Sequence, residues 1–335
     1  GPGSMYRSRP EPVQGHLFTY YKDPYCKIPV FMMNMDARRC VLWVGGQTES
    51  LLSFDYFTNL AEELQGDWAF VQVEVPSGKI GSGPQDHAHD AEDVDDLIGI
   101  LLRDHCMNEV ALFATSTGTQ LVFELLENSA HKSSITRVIL HGVVCDPENP
   151  LFTPEGCAAR KEHVEKLMAE GRGEDSLAML KHYDIPITPA RLAGGGFPTL
   201  QEAVWNPCIR KEFDVLRRSV GVIKVPLLLM LAHNVQYKPS DEEVGTVLEG
   251  VRDHTGCNRV TVSYFNDTCD ELRRVLKAAE SEHVAAILQF LADEDEFRTE
   301  TEKNNRIKAA EDEKKRKSVL QVSSFAQAAS SVKAS

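Results

Sequence analysis

The sequence lacks the apolar runs that mark membrane spans and secretory leaders. No stretch approaches the length of a membrane-crossing helix, and no apolar segment stands near the amino terminus. Basic residues are outnumbered, because 36 lysines and arginines face 50 aspartates and glutamates, a net charge of −14. This balance argues against nucleic acid and against an anionic membrane surface as partners. We therefore expect a cytoplasmic protein.

Signatures of metals and cofactors are missing as well. The eight cysteines include no C-x-x-C pair, which is typical of reduced intracellular thiols rather than of a disulfide framework or a zinc site. The segment Gly81–Gly83 lacks the lysine of a P-loop and the pattern of a dinucleotide site. His87 and His89 stand beside Asp90 near a predicted helix start, where a solvated acidic terminus is the simpler interpretation. We predict no cofactor and no metal.

Short apolar strands alternate with helical patterns along most of the chain, and 42% hydrophobic residues suffice for a sizeable core. The alternation predicts an α/β fold with a mostly parallel sheet covered on both faces. The predicted strands are Val13–Tyr21, Lys27–Met33, Cys40–Val44, Trp68–Val75, Val110–Phe113, Arg137–Val144, Val225–Leu231 and Val260–Phe265. The predicted helices are Ser53–Leu64, Asp86–Arg103, Gln120–Leu126, Asp241–Val251 and a helical region that runs to Leu291.

The alternating pattern defines a core formed by residues 5–145 and 220–292, preceded by residues 1–4, which are typical of a purification-tag remnant. Residues 146–219 interrupt the pattern without a predicted strand, and we interpret them as a helical cap inserted over the mouth of the sheet. The helical stretches predicted within this cap are Glu162–Ala169, Ser176–His182 and Arg210–Arg218.

The composition changes again in residues 293–335. Residues 293–317 are almost entirely charged, and residues 323–335 are rich in serine and alanine. This composition predicts a solvated helix that continues into a flexible tail. A helix that docks a partner protein is the alternative.

Ser116 stands in a short turn between an apolar strand and a helical pattern. This order is typical of a nucleophile elbow, in which a serine is held out on a sharp strand-to-helix turn. Small residues are needed two positions before and after the serine, because strand and helix pass close together there. Ala114 and Gly118 occupy these positions, although the usual pattern has glycine at the first.

The order of elements resembles the α/β-hydrolase superfamily over residues Val13–Leu291. Two leading strands, a strand ending in Gly45-Gly46, a Gly/Ser loop, a serine turn, an inserted segment and two further strands follow one another as in that family. The phrase Ser116–Gln120, with Val44–Gly46 upstream, resembles a eukaryotic branch labelled only as a domain of unknown function. The resemblance implies an α/β-hydrolase fold, a mostly parallel central sheet flanked by helices with an inserted helical cap. It leaves the chemistry open, since this fold hosts many activities.

The resemblance also implies roles for residues at the serine turn. Ser116 takes the place of the nucleophile. The backbone N–H groups of Thr117 and Gln47 take the places of the oxyanion-hole donors. A plain structural turn is the alternative for both the serine and the Gly45-Gly46 segment.

The family's usual acid is replaced in this chain, because Val235 stands where an aspartate is expected. Asp146 is the candidate for a relocated acid, since some members carry it after the preceding strand. A turn aspartate before Pro147 is the alternative interpretation. Asp241 is a further possibility, but its position favours a helix-start carboxylate.

The usual base is missing too, because residues 266–270 contain no histidine. The first histidine beyond them, His283, is the candidate base, and a satisfied core histidine is the alternative. A helix break at Ala279–Ser281 would bring His283 near the serine. His141 and His233 follow strands at the same rim and are substitutes.

Two functions follow from these residues. The first is a serine hydrolase, esterase-like or thioesterase-like, that acts on a small-molecule substrate under the cap. The second is a catalytically degenerate hydrolase scaffold that binds a small molecule or a protein, which the displaced acid and base favour. The sequence leaves the substrate and the oligomeric state open.

Overall fold

The computed structural model divides the chain into two compact units, residues 1–287 and 288–335. It describes residues 12–21, 24, 26–46, 49–76, 87–116, 118–143, 154–175, 180–182, 185–194, 220–234, 241–254, 256, 259–269 and 277–332.

An eight-stranded sheet organises the first unit. Its strands are β1 (His16–Tyr20), β2 (Ile28–Met33), β3 (Arg39–Val44), β4 (Ala69–Val73), β5 (Glu109–Thr115), β6 (Ile135–Val143), β9 (Leu227–Asn234) and β10 (Val260–Cys269), with β7 (Leu180–His182) and β8 (Ile185–Ile187) forming a separate pair. Across the sheet the order is β1-β2-β4-β3-β5-β6-β9-β10. The pairs β1–β2 and β2–β4 are antiparallel, and the other neighbours are parallel. The predicted mostly parallel sheet is confirmed.

The central strands are nearly continuous apolar runs because both sides of the sheet are covered. Every residue of β5 is buried, and so is every residue of β3 after Arg39. Successive side chains point to opposite faces, so that Ala114 packs in one core while Thr115 points to the other side.

Seven helices are described: α1 (Tyr56–Leu64), α2 (His87–Asp104), α3 (Gly118–Asn128), α4 (Pro154–Ala169), α5 (Pro189–Gly194), α6 (Asp241–His254) and α7 (Lys277–Val332). Buried residues of α2 and α3 share one core with β3, β4, β5 and β6. On the opposite face, Phe57 of α1 contacts Phe70 and Phe113 edge-on, with ring centroids 5.0 Å and 6.1 Å away. The sheet is therefore covered on both faces, as the alternation predicts.

The segment predicted to lack strands contains one pair. Strands β7 and β8 run antiparallel, with Leu180 opposite Ile187. The helix predicted for Ser176–His182 is therefore wrong over Leu180–His182, which form β7, and its first four residues lie outside the described residues. The partner strand Ile185–Ile187 supplies backbone hydrogen bonds that favour extended structure in Leu180–His182. Pro186, at the centre of the partner strand, disfavours helix in that strand. The predicted stretch Arg210–Arg218 lies outside the described residues.

Helix α7 begins at Lys277 in the first unit and shows no break at Ala279–Ser281. The break considered in the sequence is thus wrong, because alanine and glutamate are strong helix formers. The second unit consists of the rest of this helix, which continues through Val332 and includes the Ser/Ala-rich segment to that residue. Most of its side chains beyond Glu294 are exposed, as charged composition requires.

Candidate functional site

Ser116 lies at the sharp turn that joins β5 to α3. Its backbone has a φ of 52°, in the left-handed region that non-glycine residues rarely adopt. Such a conformation costs free energy and persists only where the surrounding structure holds it. The residue is only partly buried. A strained, accessible serine between a buried strand and a helix is the geometry that the sequence pattern predicts for an elbow.

Close packing beside the turn explains the glycine two residues after the serine. A Cβ atom on Gly118 would lie 2.6 Å from the carbonyl oxygen of Val44 and 2.7 Å from that of Gly45. Both contacts are shorter than side-chain carbon atoms tolerate, and both involve backbone that cannot rotate away. The start of α3 therefore crosses the end of β3 at a distance that only glycine permits.

Hydrogen bonds hold the Ser116 backbone on both sides. Its N–H donates to the carbonyl of His141 on β6 at 3.0 Å. Its carbonyl accepts from the Thr119 amide at 3.2 Å and from the Thr119 hydroxyl at 2.8 Å. The strained conformation is thus maintained by the neighbouring strand and by the first turn of α3.

Two buried histidines lie on the face of the sheet that Thr115 shares. His141 is 2% exposed and His283 is fully buried, and their ring centroids are 4.9 Å apart. The His283 ring stacks on Phe265 with centroids 4.2 Å apart. Burial lowers the pKa of both rings, and for His141 the charge of a protonated His283 lowers the pKa further. Both imidazoles are therefore neutral at pH 7.

The hydrogen bond of His283 decides which nitrogen carries its proton. Its Nδ1 lies 2.7 Å from the carbonyl oxygen of Ala279, one turn earlier in α7. A carbonyl oxygen can only accept, so Nδ1 is protonated and Nε2 keeps its lone pair. A backbone carbonyl thus orients this ring, where a hydrolase triad uses a carboxylate.

The Nε2 atoms of both histidines are buried and have no hydrogen-bond partner among the described residues. Neither is therefore bonded to the Ser116 hydroxyl in this structure. A buried nitrogen without a partner costs stability, so its presence twice beside the serine turn calls for an explanation. The sequence singles out both histidines but not their contact, which depends on where α7 meets β6.

A carboxylate network that the sequence does not reveal lies directly behind Ser116. Glu49 Oε2 accepts hydrogen bonds from the Gly46 amide at 2.9 Å and from the Thr115 hydroxyl. The Thr115 oxygen in turn accepts from Trp43 Nε1 at 3.2 Å. Burial raises the pKa of Glu49 to about 7, although the bonds from Thr115 and Gly46 oppose the rise. No motif signals this residue, because it contacts Thr115 only through the fold.

Several other residues of the predicted site lie outside the part of the chain that the structure describes. The residues outside the described ranges are Gln47, Thr117, Asp146, Val235 at the expected acid position, and the loop residue Asp270.

Three further candidates are placed by secondary structure alone. His233 lies near the end of β9, and Asp241 is the exposed first residue of α6, where a carboxylate interacts favourably with the helix dipole. Asp90 is buried in the first turn of α2.

Within the described ranges, no group of three or more histidine, cysteine, aspartate or glutamate residues is arranged to hold a metal ion. The described helices also include none that is long and apolar enough to cross a membrane.

Comparison with known proteins agrees with this architecture. Siderophore hydrolase EstB from Aspergillus fumigatus is similar at 14% identity and a TM-score of 0.61, over 84% of this chain and 98% of that one. A soluble variant of the monoglyceride lipase from Saccharomyces cerevisiae is similar at 9% identity and a TM-score of 0.57, over 86% and 97%. A carboxyl esterase from Bacillus coagulans is similar at 14% identity and a TM-score of 0.53, over 84% and 99%. At these identities the similarity establishes the fold alone.

Sequence comparison supplies the family. A search of curated proteins finds no match. A family model described as "Protein of unknown function (DUF1749)" matches residues 6–266, which is most of the chain. The chain belongs to this family of unknown function, and it has the α/β-hydrolase fold of the similar solved structures.

Proposed function

We propose that this protein is a serine hydrolase that acts on ester-type bonds with Ser116 as its nucleophile. The observation that carries the proposal is the left-handed backbone of Ser116 at a turn where only Gly118 allows the strand and helix to approach. Residues held in such strained conformations cluster at functional sites. The similar solved structures, a siderophore hydrolase, a monoglyceride lipase and a carboxyl esterase, support the same class.

His283 is the proposed general base. Its Nδ1 bond to Ala279 leaves the Nε2 lone pair available to accept a proton, and its lowered pKa keeps it neutral. Substrate binding must bring the Ser116 hydroxyl and Nε2 together, since catalytic hydrogen bonds often tighten only in the substrate complex. His141, whose ring contacts His283, is the substitute base.

The remaining parts of the mechanism follow the family resemblance. The backbone N–H groups of Gln47 and Thr117 would bind the oxyanion, and Asp146 is the acid that the resemblance suggests, although the Ala279 carbonyl already bonds Nδ1 of His283. Residues 146–219 would form a cap that encloses a small-molecule ester or thioester. Attack by Ser116 on the carbonyl carbon would form an acyl-enzyme and release the alcohol or thiol, which takes the proton from the base. Water would then hydrolyse the acyl-enzyme, regenerating the serine.

A cytoplasmic location is part of this proposal. Cys40 and Cys106 are free thiols, which fits a reducing compartment. We propose no partner among nucleic acids or membranes, on the ground of the net charge of −14.

Labelling with a fluorophosphonate probe tests the proposal. We expect the wild-type protein to be labelled, Ser116→Ala to be unlabelled, and His283→Ala to be labelled at least about 100-fold more slowly, as expected for loss of a general base. Ser133→Ala, which changes an exposed serine elsewhere, is the matched control and should label like the wild type. A folded wild-type protein that does not react, or equal labelling of Ser116→Ala, contradicts the proposal.

A binding protein on a degenerate hydrolase scaffold is the second candidate. The observation that favours it is that neither buried histidine bonds the serine and that a carbonyl, not a carboxylate, orients His283. Under this alternative Ser116 is dispensable. An ester such as p-nitrophenyl butyrate would then raise the melting temperature of the wild type and of Ser116→Ala equally, without hydrolysis by either.

A further inference from the structure

One carboxylate oxygen joins two segments that the proposed chemistry needs in fixed register. Glu49 stands in the loop that follows β3, and its Oε2 accepts the Gly46 amide within that loop. The same oxygen accepts the hydroxyl of Thr115, the residue that immediately precedes Ser116. The loop after β3 and the serine turn are therefore connected through a single side chain.

The other described bonds of this loop lead elsewhere. The Leu51 amide donates to Glu74 Oε2 at 3.2 Å, and the Leu52 amide donates to Gln72 Oε1 at 2.7 Å. Gln72 lies in β4 and Glu74 directly follows its last residue, so these bonds anchor the loop to the sheet beside β3. Among the described hydrogen bonds of side chains in this loop, the bond between Glu49 and Thr115 connects the loop to the serine turn.

Removing the Glu49 carboxylate from water to make this connection costs free energy. Its two described partners are the neutral N–H of Gly46 and the neutral hydroxyl of Thr115, and no lysine or arginine among the described residues pairs with it. An enclosed carboxylate without a cation loses hydration that two hydrogen bonds replace only in part. Hydrogen bonds to a charged acceptor are, however, the stronger kind and hold their donors in narrower geometry.

We propose that Glu49 is a positioning residue that holds the start of the loop after β3 in fixed register with the Ser116 turn, and that reaction at Ser116 depends on this register. The inference rests on the proposed hydrolase function, because the register matters to catalysis only if Ser116 reacts. Glu49 acts through Gly46 and Thr115 and does not itself contact the reacting atoms.

Three substitutions separate positioning from simple structural support. Glu49→Ala removes both hydrogen bonds, whereas Glu49→Gln keeps an amide oxygen that can accept from Gly46 and Thr115. Glu74→Gln is the matched control, because it removes a charge from another acceptor of the same loop, the carboxylate that the Leu51 amide bonds. Thr115→Val removes the hydroxyl that donates to Glu49. Combined with Glu49→Ala, it completes a double-mutant cycle.

Two measurements are made on each variant: the rate of fluorophosphonate labelling at Ser116, and hydrogen exchange of the peptide that contains Gly46. We expect Glu49→Ala to slow labelling about tenfold or more, because it removes two hydrogen bonds to a charged group, and to speed exchange at Gly46. Glu49→Gln, which keeps the acceptor oxygen but not its charge, should slow labelling less than Glu49→Ala does, and Glu74→Gln should stay within about twofold of the wild type in labelling. Thr115→Val should add little to Glu49→Ala, because the two act through one contact.

The outcomes also separate this inference from the proposed function. If the wild type labels and Glu49→Ala labels as fast, the positioning role is refuted while the hydrolase stands. Equal slowing by Glu49→Ala and Glu74→Gln also refutes it, since general loosening of the loop would then suffice. If the wild type does not label, the hydrolase proposal fails. The exchange data then decide whether Glu49 connects loop and turn, and unchanged exchange at Gly46 in Glu49→Ala overturns that connection.

Discussion

Replacing Glu49 by glutamine should alter the pH dependence of stability in a defined direction. Burial raises the pKa of the folded-state carboxyl from its ordinary value of 4.5 to about 7. The folded protein therefore binds this proton more tightly than the unfolded chain. Stability from this group is fully present below pH 4.5 and is lost as the pH rises to about 7, because the folded state must then bury a charge.

The size of the effect follows from the same shift. A rise of the pKa from 4.5 to about 7 corresponds to a loss of about 3 kcal/mol at most. Glu49 keeps part of its surface in contact with water, so we expect about 1–3 kcal/mol after screening. Glutamine carries no charge at either pH and can accept the same two hydrogen bonds. Glu49→Gln should therefore gain about 1–3 kcal/mol relative to the wild type between pH 5 and pH 8.

Urea unfolding of both proteins at pH 5 and pH 8 measures this difference. Other titrating groups are shared, so the change in ΔΔG between the two pH values reports on Glu49. Glu62→Gln, which alters an exposed carboxylate on α1, serves as the control. If Glu49→Gln gave the same ΔΔG at pH 5 and pH 8, the account of a desolvated carboxyl behind the serine turn would be refuted.

Two further substitutions test the packing of the site. Gly118→Ala should lower the free energy of unfolding by about 1–3 kcal/mol or more, because its Cβ would lie 2.6 Å from the Val44 carbonyl oxygen. Urea unfolding measures this change, and Ala114→Gly, which adds no atoms, is the control. Wild-type stability of Gly118→Ala would contradict the close approach of α3 and β3. His283→Phe should change the free energy of unfolding by no more than about 1 kcal/mol, because removal of a buried nitrogen without a described partner offsets loss of the Nδ1 bond to Ala279, while a ring is kept on Phe265. Strong destabilisation, by 3 kcal/mol or so, would show instead that His283 is a satisfied core residue.

Local patterns in the sequence suffice to predict most of the sheet. Cys40–Val44 and Val110–Phe113 are short apolar runs bounded by turn residues, and such runs become strands that are covered on both faces. The serine turn is predictable for the same reason, because small residues on each side of Ser116 reflect a local steric need. The boundaries move by a few residues, as in α1, which begins at Tyr56 rather than Ser53.

Predictions fail where a distant partner decides the local conformation. The Ser176–His182 stretch is compatible with a helix by composition, but Leu180–His182 pairs with Ile185–Ile187 and is extended. The absence of a break at Ala279–Ser281 likewise places His283 in the body of a helix, with its Nδ1 bonded to Ala279. In both cases the outcome depends on hydrogen bonds that composition does not specify.

The sequence by itself determined the alternating α/β architecture and the position of a serine on a strand-to-helix turn, since both depend on hydrophobic periodicity and the size of neighbouring residues. Only the tertiary structure decided the surroundings of that serine. Thr115 and His141 become neighbours through the register of β5 and β6, while Glu49 and His283 reach them from a loop and a helix far away in the chain. Contacts between such distant residues carry no local signature, because they depend on how separate elements pack.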